Sequence, residues 1–331
     1  MHPDAHPDPP AGTHLDSPAG THLDSPPETH PQAHPQAHPI DDALVRRLIA
    51  GQFPQWAGLP VERFPSGGTV NAMYRLGEDL AVRLPLGRGG AGDVLLERTW
   101  LPRIAPRLPL PVTELLATGG PADGYPWPWS VCRWLAGANP EAGALREPVR
   151  LAEDLARFVA AMRSITLTGA PQAHRGGPLA SLDVGTRAAI EELRGIPQEG
   201  VDCDAVLAVW EEALRAPVWD GPPVWLHGDL MPGNLLVAGG DRGGLAGVID
   251  FGCMGVGDPA CDLFPAWNLL PAEAREVFRA ALDVDDATWI RGRARTLSQA
   301  LIALPYHRTT NPAMARNARH VIRAVLGERT T

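Results

Sequence analysis

Two short segments in the second half of the chain hold residues whose types and spacing could do chemistry. The first reads HGDLMPGNLL over residues 227–236, so an aspartate, Asp229, and an asparagine, Asn234, lie five residues apart. The second reads IDFG over residues 249–252 and supplies another aspartate, Asp250. Phosphoryl transfer from ATP needs one aspartate that accepts the proton of the acceptor hydroxyl. It also needs an asparagine and a second aspartate that hold magnesium ions on the phosphates. The two segments, in this order, predict that chemistry.

The elements around these segments must be short strands, because a strand on each side of a loop fixes where its side chains lie. Apolar residues 224–226 precede the first segment, residues 234–237 close it, and residues 245–251 lead into the second. Asp229 can then reach the acceptor, while the tight loop that follows turns Asn234 back toward the metal. The sequence therefore predicts a strand, a loop and a strand, followed by a third strand that delivers Asp250.

The first half of the chain has the pattern of a small antiparallel sheet. Apolar runs at 61–64, 72–76 and 80–84 are separated by turn residues, which predicts a meander of three strands. A helix is predicted near residues 93–104, and a further apolar strand at 129–135. An earlier helix is expected to begin at Asp41 and Asp42, because acidic residues favour a helix N-terminus.

Helical periodicity dominates from residue 147 onward. Apolar residues recur at helical spacing in segments 151–165, 186–193, 205–214, 273–282 and the long stretch 288–326. A small β-rich part followed by a larger helical part predicts an α+β chain of two lobes.

Composition narrows the range of partners and compartments. The 331 residues carry 38 acidic against 29 basic side chains, a net charge of −9, which disfavours nucleic acid or an anionic membrane as a partner. No apolar run approaches the roughly 18 residues of a membrane span, and the N-terminus lacks the apolar core of a secretion signal. The four cysteines have no CxxC spacing and are interpreted as reduced thiols. We therefore expect a cytoplasmic protein.

Residues 1–40 differ from the rest of the chain. The motif AGTHLDSP occurs at 11–18 and again at 19–26, large apolar residues are rare, and seven of the 11 histidines lie here. Such a segment buries too little surface to offset its chain entropy, so we predict a disordered low-complexity tail. A metal-binding tail is the alternative, but its histidines are irregularly spaced and have no cysteine partners.

Taken with the residues around them, the two chemical motifs resemble a known family. HGDLxxxNLL at 227–236, followed by IDFGxxGxGDPAxDL at 249–263, is similar to the aminoglycoside phosphotransferase family of small-molecule kinases. VRLP at 82–85 and WPWSVCRWL at 127–135 resemble one bacterial branch of it. The resemblance covers about residues 41–331 and implies the two-lobed fold of protein kinases. Its N-lobe, a small antiparallel sheet, would span 41–135, and its mainly helical C-lobe 136–331.

The resemblance also implies roles around the motifs. Asp229 would be the catalytic base or would orient the acceptor hydroxyl, and Asn234 and Asp250 would be ligands of Mg²⁺. His227 would support the loop, with proton transfer as the alternative role. Asp262, in the GDPAxDL part, would cap the following helix or brace the catalytic loop.

Four residues match the loop that covers the nucleotide in this family. They lie between the first two predicted strands, where glycines let backbone amides approach phosphate and hydroxyl side chains add donors. They are Ser66, Gly67, Gly68 and Thr69.

The base of ATP or GTP would lie between the lobes. Kinases bind it through main-chain groups, which by resemblance are those of Val131 to Arg133. Trp127, Trp129 and Trp134 flank this segment. They are either stacking platforms for the base or, given their density, part of the lobe core.

The strand that carries VRLP departs from the wider family. A kinase normally has a lysine there, whereas this chain has no lysine and all 29 of its Lys/Arg residues are arginine. Arg83 is therefore the predicted phosphate-binding cation, since a guanidinium can bridge phosphate oxygens in a forked manner. Glu97, in the next helix, is the carboxylate predicted to orient it. An exposed helix charge without this role is the alternative for Glu97.

The expected partner is a small molecule with a hydroxyl acceptor. Residues 180–220 contain nine acids against three arginines, and a polycationic aminoglycoside would need such a carboxylate lining. A solvated helix face is the alternative meaning of this segment. A macrolide, a nucleoside-like antibiotic or a metabolite such as an amino alcohol or a sugar would also offer a hydroxyl.

A second class of function is a non-catalytic nucleotide-binding or regulatory module, a pseudokinase. Degenerate members of the family lose at least one residue of the set Asp229, Asn234 and Asp250. All three are present here, which favours the enzyme. The sequence leaves the oligomeric state open.

Overall fold

The computed structural model describes residues 40–65, 68–239 and 243–328. The predicted tail, apart from Ile40, lies outside the described residues, and so do Ser66 and Gly67 of the predicted nucleotide-covering loop.

A five-stranded antiparallel sheet forms the small lobe. Its strands are Val61–Phe64 (β1), Asn71–Leu76 (β2), Leu80–Pro85 (β3), Leu115–Gly119 (β4) and Trp129–Arg133 (β5). The order across the sheet is β1-β2-β3-β5-β4, so the predicted meander is present and is extended by two strands. Strand β4 was not predicted, because the prolines at 109 and 111 that precede it indicate a loop. Strand β3 is buried along its whole length, and Arg83 lies within it.

Two helices accompany this sheet, α1 over Asp42–Gln52 and α2 over Arg88–Ile104. Asp41 is the N-cap of α1, and its Oδ1 accepts a hydrogen bond from the Leu44 main-chain N at 2.7 Å. The apolar face of α1 and the sheet close a core of their own. The second half of α2, with Trp100, Leu101 and Ile104, belongs instead to the core of the large lobe.

The large lobe consists mainly of helices around that second core. They span Pro148–Arg163 (α3), Asp183–Arg194 (α4), Cys203–Leu214 (α5), Pro265–Asn268 (α6), Ala272–Ala281 (α7), Asp286–His307 (α8) and Pro312–Gly327 (α9). The stretch predicted as one helical run, 288–326, is two helices because Asn311 starts a new one. Its Oδ1 accepts from the Met314 main-chain N at 3.2 Å, and Pro312 occupies the first helical position. Within the described part of the chain, no helix has both the length and the apolar character needed to cross a bilayer.

Two short ladders carry the chemical motifs. Their strands are Val224–Leu226 (β6), Leu235–Val237 (β7), Leu245–Val248 (β8) and Gly255–Gly257 (β9), and β6 pairs with β9 while β7 pairs with β8. The first motif therefore forms the loop from β6 to β7. The strand predicted to run to residue 251 ends at Val248, so Asp250 lies in the loop that follows. The whole is the α+β, two-lobed fold that the sequence predicts.

Candidate active site

The loop between β6 and β7 brings Asp229 and Asn234 into contact. A 3-10 turn over Pro232–Asn234 folds the asparagine back, so that its Nδ2 donates to the main-chain oxygen of Asp229 at 2.8 Å and to Oδ2 at 3.0 Å. The Asn234 Oδ1 is then the atom available to contact a cation. The Asp229 side chain is 24% exposed, which lets its carboxylate meet a ligand.

Buried side chains hold this loop from behind. His227 accepts at Nδ1 from the Asp229 main-chain N at 3.2 Å, and its Nε2 lies 3.1 Å from the oxygen of Ile249. The ring proton therefore lies on Nε2, and both nitrogens serve the main chain. Asp262 is fully buried, and its oxygens accept from the main-chain N–H groups of His227 and Gly228, each at 2.8 Å. Asp262 therefore braces the loop between β6 and β7, which is the second of the two alternatives given for it.

Arg83 and Glu97 form a buried ion pair. Arg83 Nη1 donates to Glu97 Oε2 at 2.8 Å and to Oε1 at 3.1 Å, and the two residues are 6% and 0% exposed. Burial opposes the charge on Arg83, but the carboxylates of Glu97 and Asp250 outweigh it and raise the pKa of Arg83 above its ordinary value. The alternative of an exposed, unengaged Glu97 is wrong, because helix α2 turns this side chain onto β3.

Glu97 also connects this pair to the second motif. Its Oε1 accepts the main-chain N–H of Phe251 at 2.9 Å. The Phe251 ring in turn packs on His227, with ring centroids 4.5 Å apart. Strand β3, helix α2 and both motif loops are thus joined by direct contacts.

Asp250 lies between Arg83 and solvent. Its φ of 64° is left-handed, which is uncommon for a residue other than glycine, and its N–H donates to Thr113 Oγ1 at 3.3 Å. The side chain is 41% exposed, and its Oδ1 lies 3.5 Å from Arg83 Nη2. That Nη2 is buried and has no hydrogen-bond partner among the described residues. A buried donor without an acceptor, beside a half-exposed carboxylate, fits a site that a ligand completes.

A third acid, Asp93, adds to the negative charge here. It lies one helical turn before Glu97 and faces Gly252, where a Cβ would come within 2.8 Å of the Asp93 Cγ. Burial, Asp250 and Glu97 together raise the pKa of Asp93 to about 7. Asp93 is thus a third carboxyl group close enough to interact electrostatically with Arg83, Asp250 and Glu97. The described residues contain no group of three or more His, Cys, Asp or Glu side chains arranged to hold a metal by themselves.

Arg175 contacts Asp229, although the sequence analysis did not select it. Its Nη1 donates to Asp229 Oδ1 at 2.6 Å and to the main-chain oxygen of Gly228 at 3.2 Å. The residue lies 54 positions before Asp229, outside any helix or strand, so neither periodicity nor a motif marks it. Only the fold brings the two together.

The residues predicted to bind the nucleotide are placed unequally. Gly68 and Thr69 are exposed in the turn between β1 and β2. Val131 and Arg133 lie in β5, which pairs with β3 on one side and β4 on the other. The Arg133 N–H donates to the oxygen of Glu114 at 2.9 Å. The sheet therefore uses part of the main chain of this segment, and the contact between the base and Val131–Arg133 stays a prediction.

The three tryptophans near β5 have different surroundings. Trp129 is fully buried in the small-lobe core, and Trp127 packs partly buried against the same core. Trp134 instead meets Phe64 edge-on, with ring centroids 5.2 Å apart, and the guanidinium of Arg75 lies 4.2 Å from its ring centre. The core interpretation therefore holds for Trp127 and Trp129, whereas Trp134 forms a separate stack on the surface of the lobe.

The acidic segment 180–220 is partly neutralised by the protein's own arginines. Six of its nine acids form ion pairs, and Asp202 is the N-cap of α5. The pairs are Asp183 and Glu211 with Arg187, Glu191 and Asp204 with Arg194, Glu212 with Arg293, and Glu199 with Arg319. Two of these arginines come from α8 and α9, outside the segment. The structure therefore favours the solvated helix face over a carboxylate lining for a polycation.

Comparison with known proteins gives a family match. A family model described as "APH: Phosphotransferase enzyme family" matches residues 61–297, which include both motifs, Arg83 and Glu97. No curated protein matches the chain at a significant level.

Several solved structures share the fold. A mutant of aminoglycoside 2'-phosphotransferase-IIIa in complex with GDP is 20% identical, covers 88% of this chain and 99% of its own, and has a TM-score of 0.70. The GDP and kanamycin complex of APH(2″)-IIIa is 19% identical over 86% of this chain and 99% of its own, with a TM-score of 0.63. The apoenzyme of macrolide 2'-phosphotransferase MphH from Brachybacterium faecium is 19% identical over 85% of this chain and 97% of its own, with a TM-score of 0.56. At these identities the likeness establishes the fold.

Proposed function

The chain belongs to the phosphotransferase enzyme family, and from this premise we propose that it is an Mg²⁺-dependent kinase of a small molecule. It would move the γ-phosphate of ATP or GTP to a hydroxyl group of its acceptor. In this proposal Asp229 accepts the proton of that hydroxyl, Asn234 and Asp250 hold the ion, and Arg83 binds phosphate oxygens.

The observation that carries the proposal is the proximity of these four groups. Asn234 contacts Asp229, and the N–H of Ile249 donates to the oxygen of Asn234 at 2.9 Å, which places Asp250 beside the first motif. Asp250 in turn faces Arg83. A non-catalytic module would lose at least one member of the set, so the complete set supports a kinase over a pseudokinase.

Mg²⁺ fits the donor set. Asn234 Oδ1 and the Asp250 carboxylate are oxygen ligands of the kind that Mg²⁺ takes, and this ion commonly has only one or two protein ligands beside substrate phosphates and water. When bound, the ion would neutralise charge on the phosphates. Because one or two protein ligands are enough for Mg²⁺, the site does not need a cluster of three acidic or imidazole side chains.

The nucleotide would be held from the small lobe. Arg83 Nη2, the buried donor without a partner among the described residues, supports a phosphate oxygen as its acceptor. Gly68 and Thr69 remain the proposed cover of the phosphates. For the base, we propose the main chain after β5, where Ala136 and Gly137 are exposed.

The acceptor class is narrowed by charge. The printed names of the similar structures include aminoglycoside and macrolide phosphotransferases, so a hydroxylated antibiotic is a reasonable class to test first. The ion pairing of segment 180–220 favours an acceptor with few positive charges, such as a macrolide or a sugar, over a polycation. A metabolite such as an amino alcohol is the remaining alternative.

Two further expectations complete the proposal. We place the boundary between the lobes near residue 135, because the Trp134 N–H still donates to the small-lobe oxygen of Asp79 at 2.7 Å. We also propose a cytoplasmic location, because Cys132, Cys203, Cys253 and Cys261 are all free thiols.

The test measures consumption of Mg-ATP and Mg-GTP with a panel of macrolides, aminoglycosides and hydroxylated metabolites. Asp229→Ala is the blank, and Asp204→Ala, an exposed aspartate on α5, is the matched control. Turnover that depends on the acceptor and disappears only in Asp229→Ala supports the kinase. Equal rates in wild type and Asp229→Ala would refute the role of Asp229. Binding of Mg-nucleotide without turnover for any acceptor favours the non-catalytic module.

A further inference from the structure

Among the residues that the structure describes, Arg175 is the one cation that touches the proposed catalytic base. Its Nη1 lies 2.6 Å from Asp229 Oδ1, 3.2 Å from the oxygen of Gly228 and 3.5 Å from Cys253 Sγ. The two hydrogens of this nitrogen can therefore serve the carboxylate and the main chain of the preceding residue at once. Such a contact fixes the orientation of the carboxylate relative to its own loop.

The Asp229 carboxylate is in fact held at both oxygens. Asn234 Nδ2 donates to Oδ2 and Arg175 to Oδ1. We propose that Arg175 is a positioning residue for phosphoryl transfer, which holds the Asp229 carboxylate in the orientation that meets the acceptor hydroxyl. This inference rests on the proposed function, and it assigns to Arg175 a role separate from that of Asn234, whose Oδ1 is reserved for the ion.

Helix α8 fixes the segment that carries Arg175. Arg295 Nη1 donates to the main-chain oxygen of Arg175 at 2.9 Å, and Arg295 Nη2 lies 3.3 Å from Asp258 Oδ2. Asp258 is itself held by Arg291, at 2.9 Å from Nε to Oδ2 and 3.1 Å from Nη2 to Oδ1. All three of these anchoring residues are buried. The backbone of Arg175 is therefore tied to the core rather than left on a free loop.

The same segment also packs directly on strand β9. The main-chain N–H of Ala173 donates to the oxygen of Val256 at 3.0 Å, and that of Asp258 donates to the oxygen of Gly176 at 3.0 Å. A Cβ on Gly257 would lie 2.5 Å from the Gly176 oxygen, so these two segments of the backbone approach as closely as glycine allows. This rigid support suits a residue that must place a carboxylate within a fraction of an ångström.

The Arg175 side chain keeps its positive charge in this environment. Burial opposes it, but Asp229 and, more weakly, Asp250 hold the pKa of Arg175 above its ordinary value. The guanidinium thus stays positive and lies beside the Asp229 carboxylate. A lost contact would free the Asp229 side chain to rotate, and a displacement of about 1 Å at a reacting group costs about 10²-fold in rate.

The test compares Arg175→Gln, Arg175→Lys and Arg175→Ala in the full chain. The readouts are kcat for Mg-ATP or Mg-GTP with the best acceptor found, or with water as acceptor where none is found, and Kd of the Mg-nucleotide. Arg187→Gln is the matched control, since it removes another Arg–Asp pair, with Nε and Oδ1 2.8 Å apart, on α4. We expect kcat to fall about 10²-fold in Arg175→Gln while Kd changes less than about threefold. Lysine should restore part of the rate, and added guanidinium ion should partly rescue Arg175→Ala.

Three results would overturn the inference. These are an unchanged kcat in Arg175→Gln, a loss of kcat matched by an equal loss of nucleotide affinity or by unfolding, and the absence of any rescue by lysine or guanidinium. Failure of the proposed function is distinguishable, because wild type itself then gives no turnover. In that case crystal structures of wild type and Arg175→Gln decide the inference. A rotated Asp229 carboxylate in the variant supports positioning by Arg175, and an unmoved one refutes it.

Discussion

Replacement of Glu97 by glutamine is the most direct test of the buried link between the two lobes. Glu97 is 0% exposed and accepts from Arg83 Nη1 and from the main-chain N–H of Phe251. A glutamine keeps one acceptor oxygen, but it carries no charge. Its amide hydrogens would face one of the two donors, Arg83 Nη1 or the main-chain N–H of Phe251. Removing one partner of a buried pair typically costs about 3–5 kcal/mol. Asp250 Oδ1 remains 3.5 Å from Arg83 Nη2, so we expect a loss of about 2–4 kcal/mol in the free energy of unfolding.

The chain offers a matched control for this variant. Glu114 pairs with Arg133 at 2.6 Å, but these side chains are 53% and 49% exposed. An exposed pair contributes about 0–1 kcal/mol, so Glu114→Gln should change stability little. Urea unfolding of both variants and of wild type, followed by circular dichroism without nucleotide or Mg²⁺, measures the difference. Equal losses in the two variants, or a loss below about 1 kcal/mol in Glu97→Gln, would refute the reasoning.

A double variant then separates stability from function. Replacing both partners of a buried pair by apolar residues of similar size is often neutral. Arg83→Met with Glu97→Leu should therefore recover much of the stability lost in Glu97→Gln, apart from the unpaired N–H of Phe251. It should not recover Mg-nucleotide binding, measured by calorimetry, because the proposed phosphate-binding cation is gone. Recovery of binding as well would mean that Arg83 does not contact phosphate.

Three further predictions concern residues around the motif loops. Asp262→Asn should leave one buried main-chain N–H of the catalytic loop without an acceptor, which costs about 1–3 kcal/mol of unfolding free energy and lowers kcat more than nucleotide affinity; an unchanged kcat would contradict its role as a brace. Asp93 has a pKa raised to about 7, so the folded state binds its proton more tightly than the unfolded chain and stability falls as pH rises toward 7. Asp93→Asn should remove this penalty and be more stable than wild type by about 2 kcal/mol at pH 8, after allowance for partial solvent exposure, with a smaller gain at pH 5 in the same urea titrations. Gly228 has φ 83° and a Cβ there would lie 2.5 Å from the oxygen of Cys253, so Gly228→Ala should cost about 1–3 kcal/mol, whereas Gly233→Ala, with open space around it, should be nearly neutral in thermal unfolding.

The sequence predicted the local parts of the site because their information is local. The spacing of Asp229 and Asn234 sets a turn that brings the two side chains into contact, and the position of Glu97 in the helix after β3 predicts its pairing with Arg83. The two-lobed fold followed from the change from alternating to helical periodicity. Strand β4 was missed because prolines precede it.

The long-range contacts could not be predicted in the same way. Arg175 reaches Asp229 across 54 residues, through a segment whose place is set by α8 and β9. The sequence also could not show that two acids of segment 180–220, Glu212 and Glu199, pair with arginines of α8 and α9. A local excess of charge measures composition, whereas the field at a site depends on which side chains the fold brings together.

The carboxylates of the site illustrate why burial decides what a motif residue does. Glu97 and Asp262 are fully buried, and the oxygens of each accept hydrogen bonds from donors of the protein itself. Asp229 and Asp250 are 24% and 41% exposed, and each is flanked by a guanidinium rather than enclosed. A fully buried carboxylate cannot exchange its partners without leaving a buried donor unpaired, so it can only support the surrounding structure. A partly exposed carboxylate can exchange solvent for a hydroxyl or a cation at small cost. The acidic residues of the site therefore divide into carboxylates that support the loops and carboxylates that we propose as ligands, and the division follows from the accessibility of each oxygen.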